Sequence, residues 1–266
     1  MTTAKAGPFA NLLLARAGGV ATLTVNRPAV HNALDGGTLR ELARAIRELR
    51  RDGGVRALVI TGAGDKAFSA GADIAAMAAM SAAEGHDYSR LGHEVMARLE
   101  ALEIPVVAAL NGVALGGGFE LALACDLIVA SARARLGQPE INLGLIPGFG
   151  GTQRLVARVG QGRAREMIYL GEPVGAEDGL RLGLVDRVVP PERLAGEAAA
   201  LAAALAAKAP VALRQAKRAT AIAADADRAT GCRFEVEAFA VAFATEDRVE
   251  GLRAFLDKRP PVWKGR

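Results

Sequence analysis

Cysteine, histidine and aromatic residues are all scarce in this chain of 266 residues, which has two Cys, three His, one Trp, two Tyr and eight Phe. Cys125 lies in a very apolar run and Cys232 far from it in sequence, so no disulfide framework is implied and a reducing compartment fits. His86 and His93, if on one helix, are roughly 10 Å apart, too far to share a metal at ~2 Å bonds, and His31 stands alone. No metal site is expected. Charge of one sign is missing too, because 33 Lys and Arg face 29 Asp and Glu for a net of +4, too mild a balance to demand nucleic acid or a membrane surface. There is no long apolar run. The longest charge-free stretch, Ile104 to Phe119, has 16 residues and is interrupted by Asn111 and four glycines, short of a membrane span. Residues 1–8 have neither an apolar segment of signal-peptide length nor an Arg-rich transit pattern, so the cytoplasm is the expected location.

Against these absences stand 51% hydrophobic and 23% charged residues, the composition of a globular chain long enough to bury a sizeable core. Val20 to Val25 is short and β-branched and stops at Asn26-Arg27-Pro28, which predicts a strand and a turn. Leu39, Leu42, Ile46 and Leu49 recur at helical spacing and predict a helix over about 36–51. Strands are expected at Ala57–Thr61, Pro105–Leu110 and Leu127–Ala130, with a second helix over roughly Ser89–Leu102. This alternation is the signature of parallel βαβ units. Beyond about Gly151 only Leu184–Val189 reads as a strand, and the rest is helical and rich in alanine.

Several motifs fail on inspection. Gly62-Ala63-Gly64-Asp65-Lys66-Ala67 fits the dinucleotide pattern formally, yet Phe68 to Gly71 is expected to continue as loop where that motif requires a helix. Ser69 lacks the first glycine of a nucleophile elbow. The informative region is Asn111 to Gln153. Glu120 is the sole charge between Ile104 and Cys125 and follows Gly116-Gly117-Gly118, and a carboxylate in such apolar company is costly unless it is used or paired. Either chemistry or the backbone N–H groups of its own helical first turn would satisfy it. Three glycines between a strand and a helix allow backbone N–H groups to approach a ligand oxygen, or simply allow close packing. Glu140, in Gln138-Pro139-Glu140, is a second isolated acid, and the two together would suit general acid and base chemistry.

Phe68-Ser69-Ala70-Gly71-Ala72-Asp73-Ile74, Asn111 through Leu121, Gln138-Pro139-Glu140 and Ile146-Pro147-Gly148-Phe149-Gly150-Gly151-Thr152-Gln153-Arg154-Leu155 closely resemble the enoyl-CoA hydratase/isomerase, or crotonase, superfamily. The likeness runs from Asn26-Arg27-Pro28 to Phe255-Leu256-Asp257-Lys258-Arg259. It implies an α/β fold, a spiral of ββα repeats in residues 1–200, and a helical C-terminal region in residues 201–266 that serves trimerisation, as a homotrimer or a dimer of trimers. It implies that the backbone N–H groups of Ala72 and Gly117 bind the thioester carbonyl of an acyl-CoA, with Glu120 and Glu140 as catalytic acid and base. Ala70, Ala72, Asp73, Ile74, Gly117 and Gly148 are assigned to the CoA and acyl site, with Phe255 and Lys258 completing that of a neighbour. No separate cofactor is implied, since CoA arrives on the substrate.

Both acids match those of true hydratases, so addition of water across a 2-enoyl-CoA, as in β-oxidation, is the leading expectation. A double-bond isomerase or a carnitinyl-CoA dehydratase type is the alternative. A scaffold without catalysis is the rival of another class, supported only by the six basic against three acidic side chains of Asp247 to Arg266. Phe149 stands where short-chain hydratases commonly carry alanine, and Ala75-Ala76 replace the Lys or Glu often found after the Ala-Asp-Ile segment. A phenyl ring there is expected to shorten or reshape the acyl pocket.

Overall fold

The computed structural model describes residues 9–266, so the sequence reading of residues 1–8 lies outside the described residues. In chain order the elements are β1 (Leu12–Ala17), β2 (Val20–Val25), α1 (Gly36–Arg51), β3 (Ala57–Gly62), β4 (Ala67–Ser69), α2 (Ile74–Met77) and α3 (Ala82–Glu100). Next come β5 (Val106–Leu110), β6 (Val113–Leu115), α4 (Gly117–Leu123), β7 (Leu127–Ser131), β8 (Arg135–Gly137) and α5 (Gly151–Leu170). The remainder is β9 (Val174–Gly175), α6 (Ala176–Arg181), β10 (Arg187–Val189), α7 (Leu194–Ala206), α8 (Pro210–Ile222), α9 (Arg228–Phe243) and α10 (Glu246–Leu256).

The strands form two sheets, a large one in the order β1-β2-β3-β5-β7-β10 and a small one in the order β4-β6-β8-β9. Pairing is parallel except for β1 with β2 and β8 with β9. The chain therefore does not repeat as plain βαβ. Each turn gives a long strand to the large sheet, then a three-residue strand to the small one, and then a helix: β3-β4-α3, β5-β6-α4, β7-β8-α5. The short strands carry too few residues for alternation to register in sequence, which is why Phe68-Ser69, expected as loop, is strand, and why β6 and β8 went unseen. β1 was missed as well, because only Leu12 is buried on it. Likewise α3 starts at Ala82, not Ser89, behind a capping box between Ser81 and Glu84, in a stretch whose polar residues mask the helical period.

Period-2 burial is visible on both faces of the large sheet. Leu58, Ile60, Val106, Ala108, Leu110 and Ile128 enter the main core with α1 and α3, where Leu39, Leu42, Ile46 and Leu49 form the buried stripe of α1. Ala57, Val59, Val107, Ala109 and Val129 face Leu194, Ala198, Ala202 and Ala206, a four-residue stripe of α7. Residue 200 thus falls inside a helix that belongs to the core, and the chain leaves that core only at Ala207. α8 and α9 pack on each other beyond it. The C-terminal tail is stitched back: Asp247, buried, accepts the N–H groups of Lys264 and Gly265, and Trp263 donates to the Ala207 carbonyl. No single described helix is long and apolar enough to cross a membrane.

The small sheet positions the site. β4, β6 and β8 are neighbours and parallel, so the segments leaving their C-terminal ends emerge side by side. Those segments are Ala70–Asp73, Gly116–Gly117 and Gln138–Glu140.

Candidate active site

Ala72 is prepared by the backbone alone. Leu34 forms an isolated parallel bridge with it, donating to the Gly71 carbonyl at 2.8 Å and accepting from the Asp73 N–H at 3.2 Å. A residue bracketed in this way turns its own N–H to the opposite side, here toward Gly117. Ala70 donates to the His31 carbonyl at 2.9 Å, and the Arg27 guanidinium ties the turn from below through Ala33, Asp35 and Asp73. The Ala72 N–H has no partner among the described residues. Gly117 opens α4, where a first-turn N–H has no intrahelical acceptor, and a Cβ built on it would lie 3.6 Å from the Ala72 nitrogen. Two free backbone donors thus share one spot.

Each glycine of the triplet has its own reason. Gly116 has φ +49°, and a Cβ there would sit 2.7 Å from Glu140 Oε1. A Cβ on Gly117 would come within 2.8 Å of the Phe149 ring, and one on Gly118 within 2.2 Å of the Ser69 carbonyl oxygen of β4. All three distances fit the close-packing reading of the triplet.

Glu120, on α4, is 1% exposed. Its Oε1 accepts the backbone N–H groups of Phe149 at 2.7 Å and Gly151 at 2.6 Å. These donors belong to the turn into α5, not to Glu120's own first turn as the sequence reading allowed. Burial pushes its pKa up, opposed by these N–H groups and by Arg154. Glu140 starts a short 3-10 turn, Glu140–Leu143; burial pushes it up to about 7, and the charge of Glu120 adds to the rise. Gln138, fully buried, donates its amide to both Glu140 oxygens at 3.0 and 3.1 Å when its nitrogen faces them.

The acids and the two N–H groups open onto one cavity of about 360 Å³. Its walls are Ile74, Met77, Tyr88, Leu143, Leu145, Ile146 and Phe149, and its only charged lining groups among the described residues are Glu120 and Glu140. The Phe149 ring stands edge-on to Tyr88 with centroids 5.2 Å apart. It fills the space that a side chain at position 92 would take, since a Cβ on Gly92 would lie 2.0 Å from the ring. A second cavity, about 410 Å³, lies between the large sheet and α7, with Asp65 and Arg133 as its charged lining groups. Although larger, it lacks the paired carboxylates and the donors, so the chemistry points to the first. Among the described residues no three His, Cys, Asp or Glu side chains converge as metal ligands.

A family model for enoyl-CoA hydratase/isomerase matches residues 15–266. The chain belongs to the enoyl-CoA hydratase/isomerase family. It is 46% identical over 249 residues to a short-chain-enoyl-CoA hydratase of Clostridium acetobutylicum, covering 94% of this chain and 95% of that one. It is 45% identical over 253 residues to a crotonyl-CoA hydratase of Syntrophomonas wolfei, covering 94% and 96%. The crystal structure of an enoyl-CoA hydratase from Bacillus anthracis superimposes with a TM-score of 0.94 at 40% identity, covering 96% of this chain and all of that one.

Of the residues that the family resemblance assigns to CoA and acyl binding, Ala70, Ala72, Ile74, Gly117 and Gly148 line the cavity. Asp73 does not. Its carboxylate is spent on Arg27 and on capping α2 through the Ala76 N–H. Phe255, 82% exposed and near the end of α10, and Lys258, two residues past it, do not line the cavity. Sequence reasoning gave no role to Tyr88, Gly92, Gln138 or Arg154. Gln138 left a usable signal, an amide between an apolar strand and Pro139-Glu140, whereas Tyr88 and Gly92 carry none without the fold.

Proposed function

We propose that the chain adds water to short, uncharged 2-enoyl-CoA thioesters, with Ala72 and Gly117 N–H groups on the thioester oxygen, Glu120 as base and Glu140 as acid. Enoyl-CoA hydration is the activity of this chain; the proposal concerns the acyl group and the residues. One observation carries it: a buried carboxylate, Glu120, a half-buried one, Glu140, and two unpaired backbone donors share a cavity with otherwise apolar walls.

The roles follow from the surroundings of the acids. Burial pushes Glu120 up, but its two backbone N–H bonds and Arg154 favour the ionised form that a base needs, and Glu140 has no cation beside it among the described residues. Glu140, pushed up to about 7, still carries its proton in a large share of molecules near neutrality. Glu120 takes a proton from water as the oxygen bonds to C3, and the electron pair of the double bond moves toward the thioester oxygen. The two N–H groups hold the resulting enolate, a device worth about 3 to 4 kcal/mol per donor. Glu140 then protonates C2 on the same face, giving syn addition, and proton return from Glu120 restores the pair. The panel that tests this is a set of 2-enoyl thioesters followed by loss of conjugated absorbance in ¹⁸O-labelled water. Incorporation of the label separates hydration from isomerisation. A dicarboxylic enoyl thioester meets two acids and, among the described residues, no cation in the cavity, and it should be a poor substrate.

Phe149 closes the acyl end of the cavity in this reading. Phe149→Ala opens it toward Gly92, and each added methylene buried is worth about 0.8 kcal/mol, nearly fourfold in rate constant. The ratio of long-chain to short-chain kcat/KM should rise at least severalfold, with the short substrate little changed. An unaltered chain-length profile in a folded variant refutes the role.

The same reading extends to assembly. α9 buries only Ala238 and leaves Val236, Phe239, Val241 and Phe243 exposed, an apolar face that calls for cover. The proposed cover is a homotrimer, or a dimer of trimers, in which Phe255 and Lys258 reach a neighbour's CoA. Light scattering at micromolar concentration should give three or six subunits, and a fully active monomer would sink the idea.

A further inference from the structure

Arg154 lies outside the cavity, yet it grips the loop that holds Glu120. Its Nη1 donates to the Phe149 carbonyl at 2.8 Å, while Nε and Nη2 fork onto the two oxygens of Glu100 at 2.7 and 2.6 Å. Phe149 is also the residue whose N–H goes to Glu120 Oε1. One peptide segment is thus held by its N–H at the carboxylate and by its C=O at the guanidinium. Ser89 Oγ secures the preceding carbonyl, that of Gly148, at 2.6 Å. Ser89 and Glu100 are eleven residues apart on α3, three helical turns, so both anchors stand on one face. Gly150 completes the arrangement with φ +103° and no room for a side chain, since a Cβ would lie 2.1 Å from Arg154 Nη1.

We infer that the Arg154–Glu100 pair is a positioning device for Glu120: it shapes the Phe149–Gly151 turn so that two N–H groups converge on Oε1, leaving Oε2, which has no partner among the described residues, to meet water in the cavity. The inference rests on Glu120 being the base. Stability does not account for the pair, because Glu100 is 45% exposed in its side chain and exposed ion pairs contribute little. The charged and titratable groups around Glu120 are Arg154 from α5, with Glu100 behind it, Glu140 from its 3-10 turn, and Tyr88 from α3. His93, on α3, faces Gly150.

The test is the pH dependence of kcat and kcat/KM with crotonyl-CoA for wild type, Arg154→Gln, Arg154→Lys and Glu100→Gln. Arg154→Gln should lower kcat 10- to 100-fold with KM within about threefold, and should move the acidic limb to higher pH, because Glu120 loses a cation that favours its ionised form. Arg154→Lys keeps the charge without the fork, so the limb should stay while only part of kcat returns. Glu100→Gln, at an exposed position that tolerates the change, leaves Arg154 unneutralised and should move the limb to lower pH. Unchanged kcat and limb in Arg154→Gln overturn the inference, as do equal rate losses in all three variants with the limb fixed. His93→Gln should leave the limb in place, and its disappearance would assign the titration to His93 and overturn the inference too. If Glu120→Gln is inert while Arg154→Gln is normal, only the positioning role fails; if Glu120→Gln is fully active, the reading of the site fails first.

Discussion

Replacing Glu120 or Glu140 by glutamine is expected to lower turnover by two or more orders of magnitude with the fold intact, since positioned acid or base assistance is worth ~10²–10⁴. Glutamine matches the shape of glutamate, and its amide oxygen can still accept the Phe149 and Gly151 N–H groups at position 120. A second readout distinguishes lost chemistry from lost structure. Burial holds Glu140 at about 7 in the folded chain, against about 4.3 in an unfolded one. Between those values the folded state binds more protons, so stability falls as pH rises through the window and is regained on acidification. Glutamine does not ionise. Glu140→Gln should therefore melt higher than wild type at pH 8, with the gap closing below about pH 4, as seen in calorimetric scans across pH. A variant that hydrates crotonyl-CoA at near wild-type rate removes that glutamate from the mechanism. Loss of activity without the pH-dependent gain in melting temperature would mean that Glu140 is not held protonated.

Gly118→Ala should be the most damaging single methyl group in the site. Its Cβ would lie 2.2 Å from the Ser69 carbonyl oxygen and 2.7 Å from the Ser69 Cβ, and neither is the free end of a flexible side chain. Ser69 pairs with Ala114 in the small sheet, so relief requires α4 to move away from β4, taking Gly117 and Glu120 with it. Overpacking typically costs about 1–3 kcal/mol and occasionally more, and backbone on both sides of this contact places it at the upper end. The melting temperature should fall by roughly 10 °C at about 2–4 °C per kcal/mol. Gly196→Ala is the control, because nothing lies within 4 Å of a Cβ there and alanine favours the helix. A Gly118→Ala variant that melts like wild type would show that α4 and β4 are not packed as described.

How much of this was visible in the sequence depended on the length scale of each signal. The α1 stripe at Leu39, Leu42, Ile46 and Leu49 and the strands β3, β5 and β7 were legible, because each carries enough residues for its periodicity to register. The small sheet was not, although it assembles the site, because three-residue strands such as Ala67–Ser69 pair only with partners distant in sequence. Glu120 and Glu140 stood out as isolated acids, and motif resemblance named Ala72 and Gly117. What brings the four together, the side-by-side exits of β4, β6 and β8, has no local signature. The Phe149 ring was legible, but the hollow that receives it, at Gly92, was one glycine among 31.

The bridge between Leu34 and Ala72 bears on how this chain can vary. The donor at position 72 comes from the direction of the main chain, and its neighbours' bonds to Leu34 fix that direction without any side chain at 72 taking part. Substitutions there change what crowds the donor, while the donor itself survives every residue except proline. The carboxylates have no such protection, since each is lost by a single change of residue. A lineage descending from this chain would thus shed its carboxylates more readily than its backbone donor at position 72, and new arrangements of the cavity would start from that inherited donor.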